Sequence, residues 1–355
     1  MPNGYGRVPA GAFRLRIRRR RKRHPAPNRT EWLNAGRLLH QAGVAQARQP
    51  NTGYVLDLFR GLSAFAPTPT DADGHVQTDA LGRILDRIHA AGPHSIGLLG
   101  STGGYAFLSR AERRRAVEAA ASFGEGRTPV IVGVGALRTD EAQQLARDAA
   151  VAGANGLLLA PMTYTPLTEE EVFRHFVAVA SATDLPLCIY NNPGTTKFTF
   201  SHELIARLAN VPNIAAVKMP LPANGDFKGE LAGLRAIAPK DFAIGYSGDW
   251  GAADALLAGC DAWFSVAAGL LPGPALKLTR AAHTGDTAEV QRMNDAFKPL
   301  WDLFRTYGSF RVVYVIMDLI GVSNAAPPLP ILPLSAEARQ RVDLALQAIY
   351  ITNAD

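Results

Sequence analysis

From about residue 54 onward, short apolar runs closed by proline or glycine alternate with longer stretches whose apolar positions recur at helical spacing. The runs are continuous rather than alternating, which is the pattern of parallel strands buried on both faces. They predict strands near residues 62, 95, 130, 156, 187, 214, 242 and 262, each followed by a helical stretch. Helices are predicted over about 78–91, 140–152, 201–209 and 252–258. Two more carry capping boxes, in which a hydroxyl and a glutamate three residues later satisfy each other's backbone N–H: Ser109 with Glu112, and Thr168 with Glu171.

Eight βα units over about 230 residues match the size of a closed barrel. The predicted fold class is therefore α/β, a (β/α)8 TIM barrel. An open, doubly wound sheet is the competing arrangement, and it calls for a dinucleotide glycine pattern after an early strand. Gly133-Val134-Gly135 is followed by Arg138 where the third glycine belongs, and no Gly-Lys-Ser/Thr phosphate loop occurs. Beyond Leu276 the alternation stops. Residues 287–307, 311–320 and 336–350 then read as helices, with a Pro-rich link at 326–333, giving a C-terminal helical appendage. The predicted division is a basic, disordered extension over 1–50, the barrel over 51–282 and the helical region over 283–355.

Composition changes this picture little; charge changes it at one end. A chain of 355 residues with 47% hydrophobic and 19% charged residues is an ordinary globular protein with room for a large core. The net charge of +6 is misleading, because residues 1–50 hold 12 Lys/Arg and one acid, Glu31, leaving 25 basic against 30 acidic residues elsewhere. The body is mildly acidic, which argues against a nucleic-acid-binding face on it. The leader carries Arg18-Arg19-Arg20-Arg21-Lys22-Arg23 without an apolar segment behind it, so a secretory signal is not predicted. It fits a disordered tail, a transit-like segment, or an arm for nucleic acid or acidic lipid. No run of transmembrane length occurs. Two cysteines, Cys188 and Cys260, without metal or disulfide spacing point to a reducing cytoplasm.

In a barrel the chemistry gathers where strands end and βα loops begin. Strand two ends in Ser101 and Thr102, strand four leads to Thr163 and Tyr164, strand five ends at Tyr190, strand six at Lys218, and strand seven runs into Ser247-Gly248-Asp249. Period-two alternation puts Cys188 with Tyr190 on one face of strand five, and Ala216 with Lys218 on one face of strand six. Low-dielectric surroundings disfavour an ammonium and leave a free amine available as nucleophile. A tyrosine at the same end of the neighbouring strand could move its protons. A snorkelling lysine beside a core-edge tyrosine is the competing reading. Gly100-Ser101-Thr102-Gly103-Gly104, between a strand and a helix, suits an anion such as a carboxylate, although taken alone it reads as readily as a Gly-rich turn. The eight histidines include no HxH or HxxxH pair, so no metal site is predicted.

Together, Gly100-Ser101-Thr102-Gly103, Tyr190-Asn191-Asn192-Pro193-Gly194 and Asn213-Ile214-Ala215-Ala216-Val217-Lys218 resemble the dihydrodipicolinate synthase / N-acetylneuraminate lyase family, from about Gly61 to at least Ile320. The resemblance implies a barrel with C-terminal helices, assembled as a homotetramer built from dimers. It implies a strand-six lysine that forms a Schiff base with pyruvate or another 2-oxo acid, with no cofactor beyond that covalent imine on Lys218. By the same resemblance Tyr190 shuttles protons, Ser101 relays them and Thr102 binds the 2-oxo acid carboxylate. Gly103, Tyr164, Thr195, Ser247 and Gly248 are the further substrate-binding positions.

Three positions depart from the family's pattern. Thr195 stands where the synthases carry an arginine for the acceptor's carboxylate, and Gly104 stands where a glutamate closes the strand-two motif. Met162 and Thr163 replace two adjacent tyrosines, with Tyr164 one place later. The expected activity is a Schiff-base-dependent lyase or aldolase joining or cleaving a 2-oxo acid and an aldehyde, with aspartate semialdehyde a poor acceptor. The alternatives are a 2-oxo-3-deoxy sugar acid dehydratase using the same imine, and a non-catalytic barrel with a regulatory or scaffold role.

Overall fold

The computed structural model describes residues 58–124 and 128–354, so the basic extension lies outside the described residues. Eight parallel strands close into a barrel: β1 (Gly61–Phe65), β2 (Ser95–Leu98), β3 (Val130–Gly133), β4 (Gly156–Leu159), β5 (Leu187–Tyr190), β6 (Ile214–Met219), β7 (Ala243–Tyr246) and β8 (Ala262–Ser265) pair in chain order, and β8 returns to β1. Every strand residue except Ala215 is buried. One face of each strand meets the barrel interior and the other meets a helix, which is why the runs are apolar without alternation.

The surrounding helices are α1 (Thr78–Ala91), α2 (Arg110–Gly124), α3 (Thr139–Val151), α4 (Glu169–Ala180), α5 (His202–Ala209), α6 (Phe227–Ile237), α7 (Ala252–Leu257) and α8 (Pro272–Thr284). A single helical turn, Pro193–Thr196, precedes α5. The Thr168–Glu171 capping box forms in full at the start of α4. At α2 only half of the predicted box is made. Glu112 N–H donates to Ser109 Oγ at 3.3 Å, but the Glu112 carboxylate accepts from Val76 N–H at 2.6 Å. A tertiary partner that tethers the loop before α1 has displaced the local one.

Beyond α8 come α9 (Thr287–Tyr307), α10 (Ser309–Leu319) and α11 (Ala336–Ala354). Met293, Phe297, Leu300 and Trp301 of α9 and Val342, Leu346 and Ile349 of α11 belong to the same apolar cluster as the helix-facing strand residues. The C-terminal helices therefore extend the barrel's outer layer rather than forming a separate core. Among the described residues, no helix is long and apolar enough to cross a membrane. Asp71, Asp73 and His75 come together in the loop after β1, all exposed, where Asp71 Oδ1 accepts from the N–H groups of Asp73 and His75 as a turn-forming aspartate does.

The interior holds a second cluster containing Phe65, Ile131, Leu158, Cys188, Tyr190, Ala216, Ala243 and Phe264. The pairing of β5 with β6 shifts between Leu187 and Cys188: Leu187 lies opposite Ile214, Cys188 opposite Ala216 and Tyr190 opposite Lys218. The extra residue, Ala215, is absorbed before Ala216, as in a bulge. From Ala216 onward the two-residue period is intact, and Lys218 reaches the interior beside Tyr190.

Candidate active site

Lys218 is 3% exposed, and its ammonium faces aromatic rings rather than carboxylates. Nζ stands 3.8 Å from the Phe65 ring centroid, 4.3 Å from Tyr190 and 5.7 Å from Phe264. The last residue of β1, the last of β5 and the middle of β8 supply these three faces, so barrel closure itself builds the aromatic cage. Among the described residues, no acid forms an ion pair with Lys218. Asp249, buried in the loop after β7, is near enough for the Lys218 charge to act on its carboxyl. Its Oδ1 accepts from Trp263 Nε1 at 2.8 Å, and its Oδ2 from the N–H groups of Val266 and Ala267 at 3.2 Å each. Burial nevertheless pushes its carboxyl up to about 6, against these hydrogen bonds and the Lys218 charge.

Beside the amine lies a small polar network. Tyr190 Oη and Ser101 Oγ are 3.3 Å apart, and Asn192 Nδ2 donates to Tyr190 Oη at 2.9 Å and to Ser101 Oγ at 3.4 Å. The strand pair fixes Tyr190, while Asn191 N–H donating to Lys218 C=O at 3.0 Å ties the next residue to β6 and holds Asn192 in place. Beneath, Tyr105 is buried, and its phenol is pushed up to about 12 by burial and by the neighbouring Tyr190. Arg113 stacks over the Tyr105 ring at 5.2 Å and donates to the carbonyls of Gly133 and Gly135. Burial also pushes the Cys188 thiol up, leaving it a small core side chain rather than a nucleophile.

These groups open into a cavity of about 790 Å³. Of the predicted residues, Ser101, Thr102, Tyr190, Thr195, Lys218, Ser247 and Gly248 all line it. Gly248 turns at φ +88°, and a Cβ there would stand 2.9 Å from Leu221 Cγ, so the sharp exit from β7 needs glycine. Two predicted residues lie elsewhere. Gly103 sits inside the turn, where a Cβ would come within 3.0 Å of the Leu99 and Gly100 backbone; it shapes the nest without lining the cavity. Tyr164 is 96% exposed on the loop after β4 and does not reach the cavity of its own chain. That loop is instead turned by Thr163 Oγ1 donating to Thr165 C=O.

Sequence reasoning missed Phe65, Phe264, Asn192 and Asp249 as parts of the site. The first two were legible only as strand aromatics whose neighbours depend on closure. Asn192 and Asp249 stood inside quoted motifs without an assigned task.

The profile of the Dihydrodipicolinate synthetase family matches residues 58–349. The 4-hydroxy-tetrahydrodipicolinate synthase of Alcanivorax borkumensis is 33% identical over 287 residues, covering 80% of this chain and 96% of that protein. The enzyme of the same name from Laribacter hongkongensis is 36% identical over 283 residues, covering 79% and 95%. Among solved structures, dihydrodipicolinate synthase from Agrobacterium tumefaciens superposes with a TM-score of 0.81 at 57% identity, covering 82% of this chain and 98% of that one. The Acinetobacter baumannii dihydrodipicolinate synthase, solved with pyruvate, superposes with a TM-score of 0.75 at 27% identity, covering 83% and 99%. Matched over most of its length by both profile and relatives, the chain belongs to the Dihydrodipicolinate synthetase family.

Proposed function

We propose that this chain is a Schiff-base-dependent lyase that joins pyruvate, or a close 2-oxo acid, to an aldehyde, with Lys218 as the imine-forming amine. The observation that carries the reading is a buried amine that has no carboxylate partner among the described residues and opens into a cavity beside a phenol hydrogen-bonded to a serine. Neutral Nζ attacks the 2-oxo carbon, the carbinolamine loses water, and the resulting iminium is an electron sink. The adjacent carbon then loses a proton to give an enamine, which attacks the aldehyde carbon. The new alkoxide takes up a proton, and water hydrolyses the imine to release a 4-hydroxy-2-oxo acid and the free amine. Tyr190 moves the protons at the carbinolamine and the alkoxide, with Ser101 as its relay and Asn192 holding its oxygen. Thr102, the Ser101 hydroxyl and the N–H groups of the Gly-rich turn receive the 2-oxo acid carboxylate. No cofactor enters this sequence.

By family likeness we also infer a homo-oligomer in solution, with the barrel and helical region over 51–355 as its catalytic unit. Removing residues 1–50 should leave turnover and folding unchanged; a full chain that folds but turns over no 2-oxo acid would favour the scaffold reading. The decisive test is covalent trapping. An exposed ammonium keeps a pKa near ~10.4, so exposed lysines hold little free amine at neutral pH. Pyruvate plus borohydride should add one reduced pyruvyl group per chain, mapped by peptide analysis to Lys218, and Lys218→Ala should abolish both adduct and activity while melting normally. An adduct on another lysine, or none with any 2-oxo acid, overturns the assignment.

A further inference from the structure

The cavity is much larger than pyruvate needs, and the part built by the loops and the C-terminal helices has a distinct chemistry. Phe107 after β2, Leu221 after β6, Trp250 after β7, Phe304 of α9, Phe310 of α10 and Ile331 form this acceptor wall. Phe107 and Trp250 remain 44% and 43% exposed, and Phe107 stacks on Phe310 with ring centroids 5.8 Å apart. An apolar lining that includes two half-open aromatics is surface an apolar ligand would cover.

Two of the hydroxyls on this side, Ser247 and Thr195, are already committed, which leaves Ser309 at the start of α10 as the hydroxyl open to a ligand. Ser247 Oγ donates to Met219 C=O at 3.0 Å, and Thr195 Oγ1 donates to Asn192 C=O at 3.4 Å. The cavity's acid, Asp249, is buried and occupied by three donors. Apart from Lys218, the cation on the lining is Arg311, exposed, with Nη1 donating to Tyr307 C=O at 3.3 Å. A polyhydroxylated aldehyde would leave its hydroxyls desolvated against phenyl, indole and leucyl groups, which is unfavourable when they are not rebonded. The forked carboxylate binding that a charged semialdehyde needs is missing at Thr195.

We propose that the acceptor is an uncharged aldehyde with an apolar body, aryl or branched alkyl, seated against Trp250, Phe107 and Leu221. This rests on the lyase reading above and narrows it. The enamine carbon bonds to the aldehyde carbon, the aldehyde oxygen gains a proton, and hydrolysis of the imine releases the 4-hydroxy-2-oxo acid carrying the apolar group; no oxidant or reductant is needed.

The test measures condensation of pyruvate with benzaldehyde, isobutyraldehyde, glyceraldehyde and aspartate semialdehyde by the full chain, with borohydride trapping of pyruvate run in parallel. The expected order puts an apolar aldehyde ahead of both polar ones by about tenfold or more in kcat/KM, the scale on which apolar pockets discriminate. Trp250→Ala should raise KM for the preferred apolar aldehyde by about tenfold while kcat changes much less, with the pyruvate adduct still trapped. Phe107→Ala provides a second variant in the same direction. Preference for glyceraldehyde overturns the proposal, and so does preference for aspartate semialdehyde, which Arg311→Gln would then trace to the guanidinium. A trapped pyruvate adduct in either case leaves the lyase reading standing. Absence of any adduct removes that reading and this inference with it.

Discussion

Replacing Tyr190 by phenylalanine separates proton handling from packing more cleanly than any other change at the site. The ring stays against the Lys218 ammonium, 4.3 Å away, and stays in the barrel interior at 7% exposure. Only the oxygen is lost, together with its bonds to Asn192 Nδ2 at 2.9 Å and Ser101 Oγ at 3.3 Å. Each is worth about 1 kcal/mol net. Asn192 Nδ2 keeps its longer contact to Ser101 Oγ at 3.4 Å, so the stability loss should be about 1–2 kcal/mol, visible as a modest fall in urea midpoint with an unchanged slope. Turnover should fall far more, by about 10²–10⁴-fold, the usual worth of a positioned acid–base group. If Tyr190 acts at the carbinolamine, the rate of borohydride-trappable adduct formation should fall in step with turnover, because dehydration to the imine precedes trapping. Stopped-time trapping, steady-state condensation and urea unfolding on the same preparation give all three numbers. A folded variant whose trapping and turnover rates match the parent would refute the assignment and leave proton transfer to water or another group.

The remaining predictions are narrower. Asp249, raised from 3.8 to about 6 by burial, binds a proton more readily folded than unfolded, so its contribution favours the folded state fully below pH 4 and is lost as pH rises through about 6. The span is on the order of 3 kcal/mol, and Asp249→Asn should flatten that slope in urea midpoints measured from pH 4 to 7. His175 runs the other way: burial lowers it from 6.5 to about 4, so its contribution is present above pH 6.5 and lost as pH falls through about 4. His175→Leu, which cannot gain a proton, should shift acid unfolding to lower pH.

The parts of the fold legible in the sequence are those set by local pattern. Continuous apolar runs located all eight strands, because a strand buried on both faces has no polar position to hide it. Helix ends were legible where the cap is local, as at Thr168, and misread where a distant group competes, as at Glu112. The placement of Tyr190 and Lys218, the pair proposed to be catalytic, was legible for the same reason: they end neighbouring strands, and a two-residue period past the bulge aims both inward. Phe65 and Phe264, which complete the surroundings of the amine, come from opposite ends of the barrel sequence and meet it only because β8 closes on β1. Tyr164 shows the limit of motif spacing. One residue's displacement along an irregular loop has no fixed geometric consequence, unlike the same step on a strand, and the side chain points to solvent.

Gly104 explains why the acceptor side could not be read from any one motif. Where the family's pattern carries a glutamate, this chain turns at φ +68°, a conformation that costs a side-chain-bearing residue about 1 kcal/mol and glycine nothing. A Cβ at this position would stand 3.6 Å from the Phe310 ring, which is ordinary contact, so a glutamate would have to run its longer side chain along or into that ring. Phe310 in turn stacks on Phe107, three residues past Gly104, and both line the cavity. The glycine and the aromatic pair thus meet although they come from two distant places in the chain, a loop after β2 and the start of α10. The glycine offers no side chain to an acceptor, and Phe107 and Phe310 line that part of the cavity with apolar surface. The amine and the phenol are fixed by strand pairing, and the serine bonded to that phenol stands in the turn after β2. The proposed imine chemistry and the proposed choice of aldehyde therefore sit largely on separable supports, the barrel strands for one and the loop–appendage contact for the other.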